Sequence, residues 1–246
     1  MFKKIFGGKS KEKAKDGTNI YTYDNNKKNI GIGNVSEMLY TEEIINHFDE
    51  VFPGRTTNVF HELISDLIHI DVHFMEATEE EPFRILYTTG MSDLPMTLPK
   101  ELEKDWGHLK RAELMLFLPQ DWPIGSEEFE DENNYWPIRL LKQLARFPHQ
   151  YNTWLGYGHT IPNSADYDPY AENTGLNGVV LSCLNENIST LKAKDGTQIN
   201  IYSLIPLYKE EMDYKLEQGM DALFAKLEQV EGSGFWIDAE RENVCK

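Results

Sequence analysis

The stretch LIHIDVHF, residues 67–74, decides how the rest of the chain is read. Ile68, Ile70, Val72 and Phe74 alternate with His69, Asp71 and His73, which is the period of a strand with one apolar and one polar face. Working outward, Glu79 to Pro82 predict a turn and FRILYTT (83–89) a second strand. AELMLFLP (112–119) is apolar almost throughout and predicts a third strand, buried on both faces and therefore covered by helices on each side. The intervening GMSDLPMTLP (90–99) contains Gly90, Pro95 and Pro99 and predicts a loop.

Helices are expected on either side of these strands. Thr41 is placed to cap a helix with Glu42 and Glu43 in its first turn and Ile44, Phe48, Val51 and Phe52 on one face, ended by Pro53 and Gly54. Pro137 suits the first turn of a second helix, whose stripe is Ile138, Leu141, Leu144 and Ala145 and which ends at Phe147 before Pro148. GVVLSCL (178–184) predicts a core strand, and Lys194-Asp195-Gly196-Thr197 a tight turn before the strand INIYSLI (199–205). Pro206 is expected to open a long helix with Leu216, Met220, Leu223, Phe224 and Leu227 on one face, and FWID (235–238) to form a last edge strand. Runs of strands between helices predict an α+β domain with a mixed, mainly antiparallel sheet flanked by helices, and disfavour a parallel dinucleotide-binding sheet.

Composition narrows the function classes. The chain of 246 residues has 41 acidic against 24 basic side chains and a formal net charge of −17. Six lysines and one glutamate lie within residues 1–15, so the remainder is more acidic still. Such a surface repels phosphate backbones and favours basic partners, so a protein partner is expected and nucleic acid is not. Residues 1–33 are expected to form a flexible basic tail and 34–246 the folded domain. Phe2, Ile5 and Phe6 in that tail make an apolar face too short to anchor in lipid alone. No stretch reaches the roughly 20 apolar residues of a membrane span, and the opening MFKKIFGGKS lacks the apolar run of a secretory signal, so a cytoplasmic location is expected. Cys183 and Cys245 cannot build a disulfide framework or a multi-cysteine metal cage, and reduced thiols are expected.

The residue types capable of chemistry each admit two readings. His69, Asp71 and His73 project to one strand face, with His61 and His159 as further donors, and could share a metal, which makes a metal-dependent enzyme the alternative function. The same pattern is also that of a polar, solvent-facing side of a half-buried strand. Asp93 in GMSDLPM is either a loop carboxylate recognising a partner or a cap on its own backbone. Trp154, Tyr157 and His159 in WLGYGHTIP form an aromatic rim or pack in the core. Glu127, Glu128, Glu130, Asp131 and Glu132 imitate a phosphate track for a basic partner or form a solvated loop. GIG (31–33) lacks the spacing of a phosphate loop, and neither Ser92 nor Cys183 has the context of a nucleophile. No cofactor is called for.

Five blocks in order resemble the suppressor of fused family: GMSDLPM (90–96), RAELMLFLP (111–119), NYWPIRLLKQLARFPH (134–149), NTWLGYGHTIPN (152–163) and LIPLYKEEMDYKLEQGMDAL (204–223). The likeness runs from about residue 36 to 245 and looks like that of a bacterial, single-domain member. The resemblance implies an α/β fold and a non-catalytic role in binding other proteins. In animals the family restrains zinc-finger transcription factors of the Hedgehog pathway by gripping an extended segment, and bacterial relatives are thought to be immunity proteins that neutralise toxins. Only the N-terminal domain of the animal protein is resembled, so the interdomain grip is not implied here. On this reading the partner-binding candidates are Asp93, Trp154, Tyr157, His159 and the acids Glu127, Glu128, Glu130, Asp131 and Glu132, and a basic toxin domain would suit the acidic body.

Overall fold

A computed structural model of the chain describes residues 8–13, 15, 19–23, 38–62, 68–229 and 236–246. The expectations for residues 1–7 of the lysine-rich opening, for the GIG at 31–33 and for the domain boundary near residue 34 lie outside these residues.

The first described elements are β1 (Gly8–Lys13) and β2 (Asn19–Tyr23), an antiparallel pair forming its own two-stranded sheet. Helix α1 (Thr41–Val51) leads into β3 (Thr57–Phe60), β4 (Asp71–Met75) and β5 (Phe83–Thr89). After a short 3-10 turn at Met91–Asp93 come α2 (Lys100–Trp106), β6 (Ala112–Pro119) and the long α3 (Glu132–Tyr151). The chain continues through β7 (Thr160–Pro162), β8 (Gly178–Ser182), α4 (Glu186–Ser189), β9 (Thr190–Lys192) and β10 (Gln198–Leu207), then α5 (Lys209–Gln218) and α6 (Met220–Leu227).

The main sheet has the order β3-β4-β5-β6-β10-β8-β7, with β9 paired to β10. Asn200–Ser203 of β10 runs parallel to Ala112–Met115 of β6, and every other pairing in this sheet is antiparallel. The mixed, mainly antiparallel sheet is thus borne out. Along β6, Ala112, Leu114, Leu116 and Leu118 meet Trp136, Leu141 and Leu144 of α3 on one face, while Met115 and Phe117 meet Ile44 and Phe48 of α1 on the other. The Phe48 ring stacks on Tyr87 with centroids 3.7 Å apart. A smaller cluster joins α5 and α6 to Val180 and Leu207.

Both faces of β4 are covered as well, which corrects the expectation of a polar, solvent-facing side. All five residues of β4 are buried, Asp71 and His73 included. The helix predicted from Pro137 begins five residues earlier, where Asp131 caps it by accepting from Asn133 N at 2.9 Å. Pro137 therefore lies in the helix interior, and Asn173 Nδ2 donates to Asn133 O at 3.2 Å, the carbonyl that the missing N–H leaves without its helical partner. The same helix continues through Pro148, whose fixed φ is compatible with a helix, and ends at Asn152 with φ 50°.

Pro206 does not open a helix but sits near the end of β10, and Gly219, at φ 89°, splits the expected long helix into α5 and α6. Trp236–Asp238 forms no strand. Ile237 is nevertheless buried and donates its N–H to Phe117 O at 2.8 Å, where β6 extends beyond its pairing with β10. The segment after it is locked by Arg241, which holds Glu211 through Nη1–Oε1 at 2.6 Å and Nη2–Oε2 at 2.5 Å and donates to Pro206 O at 2.9 Å. Glu211 also accepts from Tyr208 N and Val244 N, so one buried carboxylate ties β10, α5 and the C-terminal segment together.

Replacing Arg241 by Met would leave Glu211 buried without its cation. The expected cost is roughly 3–5 kcal/mol in urea unfolding; a loss below about 1 kcal/mol would mean that the pair does not clamp the C-terminal segment.

Candidate protein-interaction surface

The residues singled out for metal chemistry are brought together only in part. His61 Nδ1 and His69 Nε2 lie 2.9 Å from Asp71, but from opposite oxygens of its carboxylate, and Glu62 N donates to Oδ1 at 2.9 Å. Burial would raise the Asp71 carboxyl, yet the Glu62 N–H and the two imidazoles outweigh it and hold the group below the ordinary range. Glu62 in turn accepts from Ile70 N at 3.1 Å and pairs with Arg146 of α3. His73 faces elsewhere: its Nε2 is 3.0 Å from Thr89 Oγ1 and its ring stacks on Tyr87. Burial pushes it down to about 4, so it is neutral at neutral pH. Among the described residues no three His, Cys, Asp or Glu side chains are grouped to hold a metal ion.

Asp93 is likewise turned inward. It is 5% exposed, and its carboxylate takes the backbone N–H groups of Met38, Leu39 and Tyr40, just ahead of α1. Burial pushes it up, opposed by those N–H groups and by Arg111. Beneath it the fully buried Glu113 accepts from Thr88 Oγ1 at 2.6 Å, Ser92 N at 2.9 Å and Ser92 Oγ at 2.7 Å. Desolvation outweighs these bonds and raises Glu113 to about 7. Arg111 donates to Ser92 O, and His149 Nε2 lies 3.1 Å from Met91 O. The GMSD loop is therefore a buried junction between the start of α1, β6 and the end of α3. The Asp93 carboxylate thus caps a distant stretch of backbone and not that of its own loop.

In the aromatic rim, Trp154 is half-buried against the α3 core and meets His159 edge-on at 4.4 Å. Gly156 permits this, since a Cβ there would fall 2.6 Å from the Trp154 ring. Burial and the neighbouring Lys215 lower His159 to about 4. Tyr157 is 53% exposed, so of the three it offers the largest surface to a partner.

The five acids are all exposed around the positive end of α3. Glu132 pairs with Arg139, while Phe129 between them turns inward, its ring edge-on to Phe60 of β3 at 5.7 Å. The acidic collar and β3 are thus neighbours at one margin of the sheet. Strand β3 itself was missed. TNVF (57–60) has the β-branched and aromatic content of a strand, but four residues between Thr56 and His61 show too little periodicity to stand out.

Comparison with known proteins now bears on this arrangement. The model of the suppressor of fused protein family matches residues 66–242. The chain belongs to that family. No curated protein is matched by the sequence. Among solved structures, a protein described as a suppressor of fused homologue from Neisseria gonorrhoeae is similar over 83% of this chain and 96% of its own, at 14% identity and a TM-score of 0.57. A chain of the Sufu–Fu complex is similar over 82% and 91%, at 15% identity and a TM-score of 0.59. Suppressor of Fused from Drosophila gives 15% identity and a TM-score of 0.57, and there the match covers 82% of this chain but only 50% of the fly protein. At such identities the likeness is one of fold.

Because the folded-state value of Glu113 lies above its ordinary 4.5, its contribution to stability is complete below pH 4.5 and is lost as pH rises through about 7. Glu113→Gln keeps the acceptor for Ser92 and removes the charge. Between pH 5 and pH 8 the wild-type chain should lose roughly 2–4 kcal/mol relative to this variant, read from urea midpoints. A difference between the two proteins that stays constant with pH would refute the assignment.

Proposed function

We propose that this chain is a non-catalytic protein-binding domain of the suppressor of fused family that works in the cytoplasm by covering a basic partner, as an immunity protein covers a toxin. The observation that carries this reading is the row of exposed carboxylates Glu127, Glu128, Glu130, Asp131 and Glu132 beside a sheet margin, on a chain of net charge −17. Tyr157 extends the contact at a second place. The groups that chemistry would need are engaged inside the fold: Ser92 Oγ with Glu113, His73 with Thr89, and Asp71 with His61 and His69. Cys183 is exposed, yet partial desolvation raises its thiol, against the activation that a nucleophilic cysteine requires. A related observation supports a protein partner: the similar Sufu–Fu chain was solved in a complex.

Affinity capture from the native cells should retain one basic protein in about equal amount. Its association rate should fall at least about tenfold between low salt and roughly 0.5 M salt, because screening removes the attraction between exposed charges. A rate indifferent to salt would contradict a charge-guided encounter, and capture of an acidic partner would contradict the basic one.

A further inference from the structure

The margin formed by β3 has features that point to the kind of segment it takes. Strand β3 pairs with β4 through Thr57↔Met75, Asn58↔Phe74, Val59↔His73 and Phe60↔Val72, and among the described residues no strand pairs with its other side. Glu76 N donates to Thr56 O at 2.9 Å, which fixes the phase of this antiparallel ladder. By alternation, Asn58 and Phe60 direct their N–H and C=O groups toward β4, while Thr57 and Val59 direct theirs away from the sheet. Two residues' worth of backbone donors and acceptors are thereby presented at the margin, the arrangement to which an added strand pairs.

Charge lies at both ends of this short edge. At the Thr57 end, the turn between β4 and β5 carries the exposed Glu79 and Glu80, next to Glu81, which Arg55 holds at 2.7 Å. At the Phe60 end stand Glu127, Glu128 and Glu130, positioned by the contact of Phe129 with Phe60. A second copy of this chain would bring the same acids against them and be repelled, and a phosphate backbone would be repelled equally. A segment with basic residues outside a short extended centre matches the edge and both of its ends.

Resting on the protein-binding reading above, we infer that β3 is the docking edge, and that its occupant is an extended segment of a partner protein. About four residues of that segment pair with Thr57–Phe60, and Lys or Arg on both sides meet the two acidic groups. At roughly 3.3 Å per residue, the basic residues flanking a four-residue centre stand about 17 Å apart, spanning the strand and reaching past each end.

The test uses the full chain and two labelled peptides, KRTVTVRK and the charge-reversed EETVTVEE, followed by fluorescence anisotropy. The basic peptide should bind at least about tenfold more tightly than the acidic one. Val59→Pro removes one outward N–H while leaving the bonds of Asn58 and Phe60 to β4, and should weaken binding about tenfold or more at an unchanged urea midpoint. Should Val59→Pro fail to fold, the doubly substituted Glu127→Lys, Glu130→Lys chain serves instead and should weaken the basic peptide by a similar factor. No binding to the wild-type chain, equal binding of the two peptides, or full binding by the folded variants would each overturn the assignment of the edge. Capture of the native partner separates this from the broader reading. A partner retained equally by wild type and Val59→Pro leaves a protein-binding domain whose contact lies elsewhere, whereas no partner and no peptide would remove both.

Discussion

Strand β6 has side chains packed on both of its faces, and the layout of the domain follows from that constraint. A strand with Leu114 and Leu116 on one side and Met115 and Phe117 on the other requires two apolar layers, supplied by α3 and α1. Once those layers are in place, the neighbouring strands are covered too, and polar groups on them must find partners inside. Glu113 does so with Ser92 and Thr88, and His73 with Thr89. Each side chain of this kind acts as a tie between elements far apart in sequence, because an unpaired buried polar group would be costly.

The elements whose pattern is set by the core were legible from the sequence. FRILYTT and AELMLFLP fall on β5 and β6, the turn at Lys194–Thr197 joins β9 to β10, and Ile44 and Phe48 mark the buried face of α1. The misreadings have one physical source, in that local rules were overridden by partners distant in the chain. Pro137 signals a helix start, but Asn173 takes up the carbonyl that the proline leaves, so the helix begins earlier. Pro206 signals another, yet it belongs to a strand whose end is held by Arg241. The alternation around Asp71 and His73 implied a wet face, and it is the second helix layer that makes it dry.

The candidate site was legible as charge and not as geometry. The run Glu127–Glu132 stands out in the sequence, and the structure leaves its acids exposed. Asp93 and His159 stand out equally, and the structure places the first beneath the backbone of Met38–Tyr40 and packs the second against Trp154. Nothing in TNVF announced that it would lie at the end of the sheet beside the acidic run. Edge position is a property of topology, set by the order β3-β4-β5-β6 and readable only once the strands are paired.

The division of labour in this account is a sealed interior and an open margin, and hydrogen exchange of the native chain measures it residue by residue. The amides of Thr57 and Val59 should exchange through local fluctuation, while those of Asn58 and Phe60 are slowed by their bonds to β4 and those of Leu114 to Leu116 exchange only on global unfolding. Protection at Thr57 and Val59 as strong as that in β6 would mean that the edge is already covered, and the interaction surface described above would have no free strand to offer.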